Sequence, residues 1–196
     1  LRLRSMLAGI TATNWDLQRA ALHHAEIIRL RNVLGDTDSL DRVRDLTEYG
    51  ATLRMIDRNE EALAAHEEAL RIASSNPGAP PQLLATVHSN IGAAHRASNR
   101  WDEARAAYAT SRDLFTSAGP SQRPYATTAA LNAAQMDMLI GAHDAAVTAL
   151  ETLGRRLESS DDPIDRMVLL KCVSLHAESR GELGDTDAVE TAIAWA

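Results

Sequence analysis

Alanine recurs at Ala20, Ala62, Ala104, Ala146 and Ala188, a spacing of 42 residues held across a chain of 196. Alanine is common here, with 35 copies, so one coincidence would mean little. The surroundings repeat too. Twelve residues before each alanine stands Ala8, Gly50, Gly92 or Ala134, with His176 in the last copy. Prolines keep the same phase: Pro77, Pro80 and Pro81, then Pro120 and Pro124, then Pro163. A fixed period of this length marks a chain of stacked supersecondary units, each too small to bury its own core.

Each unit reads as two helices. The first helices are predicted at 1–12, 39–57, 81–98, 121–140 and 163–182, and the second at 15–33, 60–75, 101–117, 143–158 and 186–196. Leu46, Tyr49, Leu53 and Ile56 follow helical spacing. Asp162 before Pro163 reads as an N-cap followed by a first-turn proline, and Ser121 and Asp38 or Ser39 are expected to cap two other helices. No segment alternates as a strand does. Small residues let antiparallel helices approach, so Gly50 is expected to face Ala62, and Gly92 to face Ala104. Leu53, Leu70, Tyr108 and Leu150 are expected to fill the space between repeats.

Composition agrees with closely packed helices: aromatic residues are only 4% of the chain. Cys172, the single cysteine, excludes an internal disulfide framework and a cysteine-based zinc site, and it reads as a buried small hydrophobe. The formal charge is −7, with no basic run, which argues against nucleic-acid binding. Nineteen of the 20 basic residues are Arg, as a high-GC genome would favour. No apolar run reaches the roughly 20 residues of a membrane span, and no leader segment is visible. The chain starts at Leu1 and the last helix ends a turn short of its counterparts, so a longer parent protein is expected.

Catalytic and metal signatures are missing. His23 and His24 are adjacent and diverge around a helix. His24 and His66 share a packing slot that Tyr108 fills in the next repeat, and His95 falls on a core-facing position. There is no His-Glu-x-x-His, no P-loop, no dinucleotide fingerprint and no nucleophile elbow. Gly-Asp-Thr-Asp at 35–38 and 184–187 lacks the rest of a calcium loop and reads as turn chemistry. A non-enzymatic chain without cofactor or metal is expected.

Asn90-Ile91-Gly92-Ala93-Ala94-His95 with Asn99-Arg100-Trp101-Asp102-Glu103-Ala104 resembles the tetratricopeptide repeat family, as does Tyr49-Gly50-Ala51-Thr52-Leu53 with Asn59-Glu60-Glu61-Ala62. The 42-residue period is similar to the kinesin-light-chain-like subclass, also found in bacterial signalling proteins. The resemblance spans five repeats, about 1–36, 37–78, 79–120, 121–162 and 163–196, as one domain. It implies an all-α solenoid, a right-handed superhelix whose first helices line a concave, peptide-binding groove. Two residues before the small position stand Met6, Glu48, Asn90, Asn132 and Ser174; four after it stand Ala12, Arg54, Arg96, Met138 and Arg180. The resemblance implies that Asn90 and Asn132 bond a peptide backbone, which a carboxamide suits as donor and acceptor. Arg54, Arg96 and Arg180 would pair with acids. Glu48, Thr86, Thr128, Ser89 and Gln135 lie on the same face. The expected partner is a peptide segment, in trans or from the parent chain, bound by the cytoplasmic sensor or regulatory part of a bacterial signalling or transcription-regulating protein. A scaffold that mediates oligomerisation or intramolecular domain packing is the alternative.

Overall fold

The structure, a computed structural model, describes residues 16–158 and 163–184. These contain eight α-helices: α1 Leu17–Val33, α2 Leu40–Met55, α3 Asn59–Ser75, α4 Pro81–Ala97, α5 Trp101–Ser117, α6 Arg123–Leu139, α7 His143–Leu157 and α8 Pro163–Glu182. A 3-10 turn, Pro120–Gln122, precedes α6, and no described residue lies in a strand. Each described helix ends within about two residues of the position its sequence pattern predicts. The helices expected at 1–12 and 186–196, and the Asp162 cap, lie outside the described residues.

The helices fall into two compact units, divided between Arg100 and Trp101. In the first, α1 packs on α2, α2 on α3 and α3 on α4, and α2 also lies against α4. In the second, α5 packs on α6, α6 on α7 and α7 on α8, with α6 against α8. In each unit, then, two first helices of successive repeats touch.

One turn recurs with the repeat. Asp57, Asn99 and Gly141 stand 42 residues apart, and each has a left-handed backbone, with φ of 61°, 56° and 78°. The amide of each donates to the carbonyl three residues back, and the next amide donates to the carbonyl five residues back, as in Asn99 to Arg96 and Arg100 to His95. This double bond closes the helix C-terminus and reverses the chain. Asn, Asp and Gly are the residues that tolerate that conformation.

Ser39 caps α2 by accepting a 3.1 Å bond from the Arg42 amide. Ser121 does not cap α6. It sits inside the 3-10 turn, and α6 begins beyond it with Pro124 in its first turn and no side-chain cap bond.

The close approach in the first unit differs from the expectation. A Cβ on Gly50 would lie 2.5 Å from Cε1 of His66, so Gly50 makes room for a buried imidazole rather than meeting Ala62. The hairpin turns about Asp57–Arg58, and residues equidistant from a turn face each other. Gly50 therefore meets a residue one helical turn beyond Ala62. Ala62 packs with Leu53 and with Ala21 of α1. Gly92 and Ala104 are both buried. In the second unit, Leu131, Ala134, Leu150, Leu153, Leu157, Val168, Cys172 and Leu175 form one core across α6, α7 and α8. Of the residues expected to fill between repeats, Leu53, Tyr108 and Leu150 are fully buried and Leu70 half-buried.

Polar groups also enter the interior. Arg31 of α1 pairs with Asp36 and, at 2.5 Å, with the buried carboxylate of Asp45 in α2. Arg42, buried, reaches Glu68 at 2.6 Å and Asn32 at 2.7 Å. In the second unit Arg123 holds the buried carboxylate of Asp165 at 2.8 Å.

Candidate functional site

The first helices carry the polar residues singled out in the sequence. In the first unit, α2 bears Glu48 and Arg54, and α4 bears Thr86, Asn90 and Arg96. Glu48, Thr86 and Arg96 are exposed; Arg54 and Asn90 are half-buried. In the second unit, α6 bears Thr128, Asn132 and Gln135, and α8 bears Arg180. Asn132, Gln135 and Arg180 are half-buried and Thr128 is exposed.

Their engagements differ. Thr86 and Thr128 donate their hydroxyl protons to the carbonyls of Gln82 and Pro124, at 2.8 and 3.0 Å. A hydroxyl bonded back to its own helix keeps only acceptor capacity. Arg180 is held by Glu151 at 3.0 Å, and its Nε lies 3.2 Å from Nε2 of His176. That His176 nitrogen lies 3.2 Å from the same Glu151 carboxylate. The cluster holds Glu151 below the ordinary carboxylate range: burial alone would raise it, and bonds from His176 and Arg180 overcome this. Asn90, Asn132 and Gln135 make no side-chain hydrogen bond among the described residues.

Apolar side chains share this face in the second unit. Tyr125 on α6 is 59% exposed, and Met167 and Leu170 on α8 are 65% and 61% exposed. Tyr125 and Met167 are one repeat apart, as are Thr128 and Leu170. The Tyr125 ring stacks on buried Phe115 with centroids 5.3 Å apart, so its exposed side is firmly based. In the first unit the corresponding registers are Leu83 and Thr86 in α4, and the ion-paired Asp41 and Arg44 in α2.

The second unit also holds a groove of about 660 Å³, which the sequence reading missed. Its walls are the second helices α5 and α7, and its floor is α6. Arg105 and Arg112 come from α5, Asp144, Thr148, Thr152 and Arg156 from α7, and Ala130, Ala133 and Asp137 from α6. Asp137 is buried and pairs with Arg105 at 2.5 Å. Burial pushes the Asp137 carboxyl up, and the Arg105 charge opposes that. A signal was legible: α3 carries Leu63 and Leu70 where α5 carries Arg105 and Arg112.

Burial shifts two further titratable groups strongly. Burial pushes the Cys172 thiol up to about 11, which disfavours the nucleophilic thiolate. Burial, with the nearby Arg54 charge second, lowers His66 to about 4. Neither ring nitrogen of His66 has a hydrogen-bond partner among the described residues. No group of three metal-ligating side chains occurs among the described residues. No described helix is long and apolar enough to cross a membrane.

No protein-family profile matches the chain, and no curated protein matches it. Solved structures do. One is a Podosopora anserina protein of nearly identical TPR-like repeats, described as a kinesin light chain. It has 15% identity and a TM-score of 0.83, over 100% of this chain and 92% of that one. Another is BtubC (BKLC) from P. vanneervenii, with 16% identity and a TM-score of 0.80, over 97% of this chain and 75% of that one. A third is PilW, a type IV pilus biogenesis factor, with 17% identity and a TM-score of 0.60, over 98% of this chain and 90% of that one. The chain has the TPR-like all-α repeat fold, in agreement with the kinesin-light-chain-like resemblance of its 42-residue period.

Proposed function

We propose that this TPR-like chain is a non-enzymatic protein-interaction module in which the first-helix face of each unit, taken by itself, holds a peptide segment of a partner or of its own parent protein. The observation that carries this reading is the pair Asn90 and Asn132. They stand one repeat apart, half-buried, with carboxamides that bond nothing among the described residues. A free carboxamide offers donor and acceptor to a peptide unit, and a partly desolvated one gives that bond more weight than in open water. Arg54 and Arg96 would meet acidic groups of the peptide in the first unit. In the second unit, by itself, Tyr125, Met167 and Leu170 would take apolar side chains of a peptide bound there. The kinesin light chain and BtubC likenesses support the interaction reading; a regulatory place in a larger cytoplasmic bacterial signalling protein extends it.

The test is a peptide-library screen on wild type, Asn90→Ala and Asn132→Ala. Peptides retained by wild type and weakened about tenfold in each variant support the reading, since each lost bond is worth roughly 1–1.5 kcal/mol. Peptides retained equally by all three proteins sink it.

A second reading, self-association as a scaffold, rests on α1. Leu22 and Val33, with Leu34 just beyond, are 71%, 69% and 68% exposed. Sedimentation of wild type against Leu22→Ser/Val33→Ser checks it: a dimer that the double variant dissolves supports the scaffold, and a wild-type monomer at high concentration removes it.

A further inference from the structure

We propose that the groove between α5 and α7 is a second docking site, separate from the first-helix face, and that it takes an acidic, partly apolar segment of a partner protein. The argument starts from the repeat register. Arg112 in α5 corresponds to Gly154 in α7, two residues before Arg156. Two residues advance a helix by about 3 Å. Arg112 and Arg156 therefore line opposite walls of the groove at nearly one level.

The two ends of the groove differ in charge. At one end Arg105 is neutralised by Asp137, and Asp144 adds a further acid. At the other end Arg112 has only its exposed chain neighbour Asp113, at 2.8 Å, a pairing of little worth in water. Arg156 makes no ion pair among the described residues. Both guanidinium groups line the same end of the groove, and a carboxylate entering there would gain charge-assisted bonds from them.

The middle of the groove is apolar. Ala130 and Ala133 lie on the floor, and Thr148 and Thr152 on a wall. Both threonines donate back to their own helix, at 2.9 and 2.8 Å, so no hydroxyl proton is left for a ligand. Recognition here must come from charge at one end and apolar contact along the middle. The volume falls within the roughly 300–1,000 Å³ of ligand-holding clefts. Nucleic acid is a poor fit, because Asp137 and Asp144 stand inside a groove on a chain of net charge −7.

The experiment uses the full chain and a labelled short peptide of glutamate and leucine in a helical pattern. The same peptide with lysine for glutamate is the control, and fluorescence anisotropy is the readout. Wild type is expected to bind the acidic peptide and not the basic one, with affinity falling as salt rises. Arg112→Gln and Arg156→Gln are each expected to weaken binding roughly tenfold. Ala149→Trp, at an exposed position on the α7 wall, is expected to abolish it by filling the groove. Circular dichroism of each variant confirms an unchanged fold. Binding unaffected by both arginine changes overturns the proposal, as does equal binding of the basic peptide. Loss in Asn132→Ala but not in the arginine variants moves the peptide to the first-helix face and likewise overturns it. Self-association that Ala149→Trp abolishes also overturns it, by making a second copy the occupant.

Discussion

The two units solve the same packing problem with different residues. In the first, Gly50 of α2 gives way to the ring of His66 in α3. In the second, two repeats later, the same registers hold Ala134 of α6 and Leu150 of α7, both in one apolar core. A methyl against a branched aliphatic replaces a hydrogen atom against a ring. The junction between successive repeats varies as widely. Arg31 and Asp45 meet as a buried ion pair between α1 and α2. One repeat on, those registers are Ala73 and Val87; two repeats on, they are Phe115 and Ala129, and all four are buried. The helical frame is thus indifferent to whether a junction is ionic or apolar, provided that volume and charge are matched within it.

Breaking the match at one partner should have the largest effect. Asp45→Ala leaves the buried Arg31 guanidinium with only Asp36, whose carboxylate is more exposed. A buried charge left wholly unpaired costs about 3–5 kcal/mol, and the remaining Asp36 contact places the expected loss towards the lower end of that range. Replacing both partners, Arg31→Met with Asp45→Val, imitates the apolar junction of the next repeats. That double variant should fall within about 1 kcal/mol of wild type, because the desolvation cost of the pair disappears with its attraction. Urea denaturation of both variants checks the pair. A double variant as unstable as Asp45→Ala would mean that the first junction needs its charges.

The Gly50–His66 contact gives a sharper contrast because it titrates. Burial holds His66 at about 4, below its ordinary 6.5. Above pH 6.5 both folded and unfolded chains carry it neutral, and it makes no pH-dependent difference. As pH falls from 6.5 towards 4, the unfolded chain takes a proton that the folded chain refuses, and stability declines. The full loss is about 3 kcal/mol. His24, also lowered by burial, adds to the decline in the same direction. Gly50→Ala alone should cost about 1–3 kcal/mol at neutral pH by pressing on the ring. Gly50→Ala with His66→Leu copies the second unit's Ala134–Leu150 pair. It should recover most of that cost and flatten the acid limb of a denaturation series run from pH 7 to pH 4. An acid limb as steep as wild type in the double variant would assign the pH dependence to other groups.

Much of this was legible because the period is a backbone property. Small residues recur every 42 positions and prolines cluster in the segments between repeats, and together they place helix ends to within about two residues. The period does not say which residue meets which. Ala62 was an attractive partner for Gly50 because both are small, yet hairpin geometry seats His66 there. Long side chains escape the reading for a related reason. Arg31, Arg42 and Arg105 reach carboxylates on neighbouring helices, and nothing in their spacing announces the partner. The peptide-face residues were named from register, and Arg180 shows what register omits: its guanidinium is already engaged by Glu151 and His176. The groove is an intermediate case. The change from Leu63 and Leu70 to Arg105 and Arg112 is visible in the repeat, but the open volume beside it is not.

The smallest effect tests the feature that both units share. Asp57, Asn99 and Gly141 occupy one left-handed turn position in three successive repeats. For a residue with a Cβ that conformation costs roughly 1–2 kcal/mol, and less for Asn or Asp. Asn99→Ala should therefore destabilise by about 1 kcal/mol, although a side chain on the exposed turn makes few contacts. Asn99→Gly should be neutral or stabilising by a few tenths of a kcal/mol, the relief of the turn being offset by a looser unfolded chain. Gly141→Ala, in the second unit, should lose about as much as Asn99→Ala: a Cβ there would meet nothing within 4 Å, so backbone conformation is the whole cost. Matched shifts in the urea midpoint, at constant slope, would show one turn reused under two different cores. A loss at Asn99→Ala that Asn99→Gly shares would instead assign the effect to the amide side chain.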